Sequence, residues 1–240
     1  MNLLAALLLS ALTTSQAVAI LLNTRNATSP ATYERALNHV QREAEEGKPL
    51  QQFVIGVTTT DKRLAEKYLT ASRPSIREMA VKKDNPLAWY LLSVETNDFA
   101  MLQKAATGGN VQALNALGSY NVAEAMRLKK ESGKTNEVER ILRQSYSYFS
   151  QAAALRDANG FINLGTCYRF GYGCKKDLRM AFECFKSAAA LNHPDGMEYM
   201  SACYERGDGV EKDQSLSLLW YMRARALRGD AAAEKWLKSR

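Results

Sequence analysis

Histidine is almost missing from this chain, with only His39 and His193 in 240 residues. Neither has a spaced metal-ligand or nucleophile partner, so a histidine-based metal centre or acid–base pair has little to be built from. There is no Gly-x-Ser-x-Gly elbow and no His-Glu-x-x-His helix. Gly171-Tyr172-Gly173 and Gly207-Asp208-Gly209 lack the preceding strand and the following Gly-Lys-Ser/Thr of a phosphate loop. The acidic cluster of Glu43, Glu45 and Glu46 reads as a solvated helix end. The chain is therefore read as a non-enzyme with no cofactor and no metal. Cysteine is also scarce. Cys167, Cys174, Cys184 and Cys203 all fall in the last third, at gaps that fit no close-paired zinc pattern. No arginine-rich helix, zinc-finger spacing or aromatic β-platform motif is present, which argues against nucleic acid as a partner. Net charge is +7, but acids and bases alternate, as in Arg206, Asp208, Glu211, Lys212 and Asp213, giving a mixed surface.

What the chain does have is a repeat at a spacing of 36. Leu164-Gly165-Thr166-Cys167-Tyr168 aligns with Met200-Ser201-Ala202-Cys203-Tyr204, and the register continues through Gly171 and Gly207, Gly173 and Gly209, Asp177 and Asp213, Phe185 and Tyr221, and Ala188 and Ala224. Self-similarity at this period marks a solenoid. Apolar residues recur at helical spacing on both sides of each glycine loop, so each unit reads as two helices, and the fold class is all-α. The glycines suit a turn at positive φ, Asp177 and Asp213 stand where they can cap the second helix, and Gly165 and Ala188 are small where helix axes cross. Tyr168 and Tyr204 are expected to be buried equivalents, with Phe185 and Tyr221 filling the gaps between pairs.

Upstream, Ala105-Ala106 and Leu117-Gly118 match Ala152-Ala153 and Leu164-Gly165 at a spacing of 47, one period plus an insertion of 11 around Arg127 to Val138. That insertion predicts longer flanking helices and a solvated turn. Asn85, Ala88 and Leu92 match Asn110, Ala113 and Leu117 at a spacing of 25. Earlier helices are predicted at 31–46, 50–57, 61–72 and 75–83, punctuated by Pro49, Pro74 and Pro86. Residues 231–237 predict a capping helix. The division this implies is degenerate helical repeats over 31–109 and clearer repeats with a cap over 110–240.

The segments 160–189 and 196–226 resemble the Sel-1-like repeat, an αα-hairpin relative of the tetratricopeptide repeat, with partial agreement at 88–106 and 113–153. Cys174, Cys184 and Ser201 depart from the usual valine, tryptophan and glycine. The resemblance implies a right-handed α/α superhelix that holds other proteins or peptides in a concave groove. In this repeat the residues beside Leu-Gly line that groove, which nominates Trp89, Tyr90, Asn115, Ser119, Ile162, Asn163, Thr166, Phe170, Glu198 and Tyr199, with about half of them open. The cysteines occupy apolar slots of the pattern. If the compartment is oxidising, Cys184 can pair with Cys167 or with Cys203, not both.

Leu3 to Leu12 is an apolar run followed by Thr13-Thr14-Ser15-Gln16 and Ala17-Val18-Ala19. It resembles a secretory signal peptide cut after Ala19, with 20–30 as a linker; the alternative is an uncleaved anchor to Leu22, which would be the chain's membrane contact. Either places the protein in the periplasm, outside the cell or on a membrane. The function expected is an exported protein-binding adaptor. A variant within the same class, suggested by the family, is an immunity protein that neutralises a secreted toxin. A cell-envelope hydrolase is the rival, and it needs a nucleophile with an adjacent base that the sequence does not display.

Overall fold

The structure, a computed structural model, describes residues 30–132 and 135–239. The expected leader or anchor and the linker after it lie outside the described residues. Those described form helices and no strand: α1 Pro30–Glu45, α2 Pro49–Thr58, α3 Lys62–Lys83, α4 Pro86–Thr96, α5 Phe99–Thr107, α6 Val111–Ser132, α7 Thr135–Ala154, α8 Ala158–Phe170, α9 Leu178–Ala190, α10 Pro194–Arg206, α11 Gln214–Leu227 and α12 Ala231–Lys238. None is long and apolar enough to cross a membrane. The chain divides into two compact units between Lys104 and Ala105.

In the first unit Ala36, Val40 and Ala44 of α1 recur every fourth residue and bury one face of that helix in a core with Phe53, Val54 and Ile55 of α2. Pro49 and Pro86 open α2 and α4, where a missing N–H costs nothing. Pro74 does not break the chain as expected: α3 runs through it as one helix. Tyr68, Ser72, Ile76 and Ala80 form a single buried stripe spanning the proline. Pro74 and Thr70, whose carbonyl loses its helical donor, are both exposed, so water can meet that carbonyl and packing overrides the local penalty.

The second unit is a stack of helix pairs, α6 with α7, α8 with α9, α10 with α11, followed by α12, and each helix packs on the next in sequence. The first helices α6, α8 and α10 also touch one another in turn. The insertion is spent on helix length: α6 has 22 residues and α7 has 20, against 13 in each of α8, α9 and α10.

The 36-residue spacing reappears as repeated contacts. Tyr168 meets Tyr146 edge-on at 5.7 Å and Tyr204 meets Phe182 edge-on at 5.4 Å. A Cβ on Gly160 would come within 2.7 Å of Ala152, and one on Gly196 within 2.7 Å of Ala188. These glycines let one pair settle on the previous one. Asp177 caps α9 by accepting from the Met180 amide at 3.0 Å, and Asp213 caps α11 by accepting from the Ser215 amide at 2.8 Å.

Two expectations about aromatics need correction. Tyr168 and Tyr204 are half-buried rather than buried. Tyr168 keeps its hydroxyl 2.8 Å from that of Tyr146, and a buried phenol would need such a partner anyway. Tyr221 fills no gap, being 41% exposed where Phe185 is 0% exposed.

Candidate functional site

The first helices of the second unit approach one another across successive pairs. A polar chain runs between two of them. The Asn163 amide donates to the Asn115 side-chain oxygen at 3.1 Å, and the Asn115 amide donates to Asp157 at 2.7 Å. Asp157 in turn accepts from the Gly160 amide at 2.7 Å and caps α8. One hydrogen-bonded line thus couples α6 to α8 and fixes both asparagine side chains.

The nominated residues separate clearly. Trp89 and Tyr90 belong to the first unit. Trp89 is half-buried against that unit's core, donates its indole N–H to Asp84 at 2.9 Å and lies 4.3 Å below the Lys104 ammonium, while burial raises the Tyr90 phenol. In the second unit Ser119 and Phe170 are exposed, whereas Asn115, Asn163, Thr166, Glu198 and Tyr199 are half-buried. Thr166 donates back to the Ile162 carbonyl at 2.9 Å. Phe170 stacks on Tyr172 at 5.5 Å. Ile162 is withdrawn: it is 8% exposed, turned into the packing of α8 rather than to the surface. Tyr199 stacks on Phe185 at 4.6 Å with rings 13° apart, which fixes the plane of a half-buried ring.

Sequence reasoning missed the ionic cluster beside this line. Arg228 forms ion pairs with both Asp195 and Glu198, locking Glu198 in place. His193 lies close by, 7% exposed, with neither ring nitrogen hydrogen-bonded. It opens α10 without making a cap bond, in the slot where Asp157 caps α8. Burial lowers the His193 pKa, with Arg228 acting the same way and Asp195 and Asp157 opposing. The folded state therefore holds the imidazole neutral, while the unfolded chain takes a proton near pH 6.5. The contribution to stability is complete above that pH and declines as pH falls below it. His193→Asn is expected to flatten the loss of stability between about pH 7.5 and 5.5, and its side-chain oxygen can cap the Gly196 amide. Urea midpoints at the two pH values measure this; an unchanged slope would show that His193 is not the group responsible.

All four cysteines stand as free thiols, so the pairing of Cys184 with Cys167 or Cys203 is not made in this structure. Cys184 packs at the α8–α9 crossing, its Cβ 3.1 Å from where a Cβ on Gly165 would sit. Burial pushes the Cys167 thiol up to about 12 and those of Cys184 and Cys203 to about 11. These are protonated, apolar fillers at neutral pH.

A stack of two-helix units in which each pair packs on the next is the architecture of a helical repeat protein. Residues 162–193 and 194–227 match the Sel1 repeat family model. Among solved structures the chain is similar to a Sel1 repeat protein from Oxalobacter formigenes, with 24% identity over 53% of this chain and 88% of that one and a TM-score of 0.43. It is also similar to c5321, a protective antigen present in uropathogenic Escherichia coli strains displaying an SLR fold, with 17% identity over 83% of this chain and a TM-score of 0.37. Of that second protein the chain covers 52%. No curated protein matches the chain.

Proposed function

We propose that this protein is an exported scaffold that binds a protein or peptide on the first-helix face of its second unit. The observation that carries the reading is the Asn163–Asn115–Asp157 line, which orders polar side chains across α6 and α8, with Tyr199, stacked on Phe185, in the slot of α10 that Asn163 holds in α8. An aromatic of fixed plane and pre-oriented amides suit peptide capture, because little side-chain entropy remains to be lost on binding. The apolar run from Leu3 and the small-residue triplet Ala17-Val18-Ala19 support export, with a mature chain starting at Ile20. N-terminal sequencing from the native host tests that part; an intact Met1 in the membrane fraction supports the anchor instead.

Binding is tested by capturing partners from the native cell envelope and measuring affinity for the partner recovered. Tyr199→Ala is expected to weaken binding by about 1 to 2 kcal/mol and Asn163→Ala to weaken it less. Cys174→Ser is expected to leave affinity unchanged. Normal binding by both groove variants, with loss on Arg223→Glu in α11, would move the site to the second helices.

A further inference from the structure

The second helices α7, α9 and α11 occupy equivalent places, and the last of them lacks the cover the other two have. In α7, Phe149 is 3% exposed and Tyr146 is met edge-on by Tyr168 of α8. In α9, Phe185 is 0% exposed and Phe182 is met edge-on by Tyr204 of α10. The corresponding residues of α11 are Leu218 and Tyr221, and they are 43% and 41% exposed. The helix that follows, α12, has 8 residues against 13 in α8 and α10. Its residues Glu234 and Leu237 line a cavity with Trp220, Arg223, Ala226 and Leu227, on the side of α11 turned from Leu218 and Tyr221. Among the described residues, no helix covers the apolar face of Leu218 and Tyr221 on α11.

We propose that this face pairs with the same face of a second copy of the chain, α11 lying antiparallel to α11 across a two-fold axis. The exposed stripe is Gln214, Leu218, Tyr221 and Arg225, spaced four, three and four along one side of the helix. Its order is polar, apolar, apolar, polar. An antiparallel partner therefore sets Leu218 against Tyr221 and Gln214 against Arg225 twice over, as a two-fold interface requires. Charge selects the same direction. Glu211 stands just before α11 and is in no ion pair among the described residues, whereas Arg225 stands at its far end. Antiparallel packing brings the Glu211 carboxylate of one copy toward the basic end of the other, and parallel packing would put like charges together. Arg225 is already oriented for this, held by Asp230 and lying 5.7 Å from the Tyr221 ring. This inference is independent of the first-helix binding face.

The test is sedimentation of the full chain over a wide concentration range. The expected mass at high concentration is twice that of a single chain, whether it starts at Met1 or at Ile20. Leu218→Glu and Tyr221→Glu should each weaken self-association at least about tenfold, the equivalent of about 1.4 kcal/mol. Val81→Glu, at a 71% exposed position on α3 of the first unit, should leave it intact. All three positions are exposed, and circular dichroism confirms that the variants fold. A chain that stays monomeric throughout, a dimer that survives both α11 substitutions, or open-ended assembly into larger species would each overturn the proposal. The last outcome would mean end-to-end stacking of unlike faces.

Discussion

Gly209→Ala is expected to destabilise the second unit by about 2 to 5 kcal/mol, while Gly207→Ala, two residues away, is expected to cost only about 1 to 2. Both glycines have positive φ, 77° and 79°, so each substitution bears the left-handed penalty of a Cβ. Their surroundings differ. A Cβ on Gly207 would find its nearest neighbour at 3.7 Å, whereas one on Gly209 would fall onto the Leu178 carbonyl group. That carbonyl belongs to the first turn of α9 and cannot move without shifting the helix, so an overpacking cost of about 1 to 3 kcal/mol adds to the strain. Gly173 lies against the Leu142 carbonyl in the same way, 36 positions earlier, and Gly173→Ala should match Gly209→Ala. The glycine loop is therefore a contact between successive pairs as well as a turn. Denaturant midpoints of the four single variants, at Gly171, Gly173, Gly207 and Gly209, provide the measurement; equal losses at all four would show that φ alone matters.

Phe185→Ala is expected to cost about 3 to 5 kcal/mol, the range for truncating a large buried aromatic. Phe185 has no exposed surface, and its ring edge lies where any side chain on Gly165 would have to go, at 2.7 Å from the missing Cβ. It also supports Tyr199 from beneath. The substitution should thus loosen the proposed binding surface along with the core. A double-mutant cycle with Tyr199→Ala separates the two effects, with a coupling of about 0.5 to 1.5 kcal/mol expected for a stacked pair. Strict additivity would mean that the stack contributes nothing beyond burial.

The repeat was legible because each unit meets its neighbour through the same positions, so a 36-residue spacing in sequence became a 36-residue spacing in contacts. Asp177 and Asp213 were readable as caps for the same reason: a cap is a local hydrogen bond between residues two or three apart. Three features were not readable. Pro74 looked like a boundary because the rule for proline is local, while the buried stripe from Tyr68 to Ala80 that carries α3 through it depends on what packs there. Ile162 looked like a groove residue from its place beside Leu164-Gly165, but its side chain turns into the helix packing. The cluster of Asp157, His193, Asp195 and Arg228 joins the ends of separate helices. A trace of it lay in the repeat register, where His193 replaces the capping Asp157 of the unit before; the partnership of Arg228 with Asp195 and Glu198 left no local mark.

The central claim, that the first helices of the second unit carry the binding face, is tested most directly by hydrogen exchange of the chain with and without its captured partner. Binding is predicted to slow exchange in peptides from α8 and α10, around Asn163 and Tyr199, and to leave α9 and α11 near their free rates. Protection confined to α9 and α11, with α8 and α10 unchanged, would contradict it.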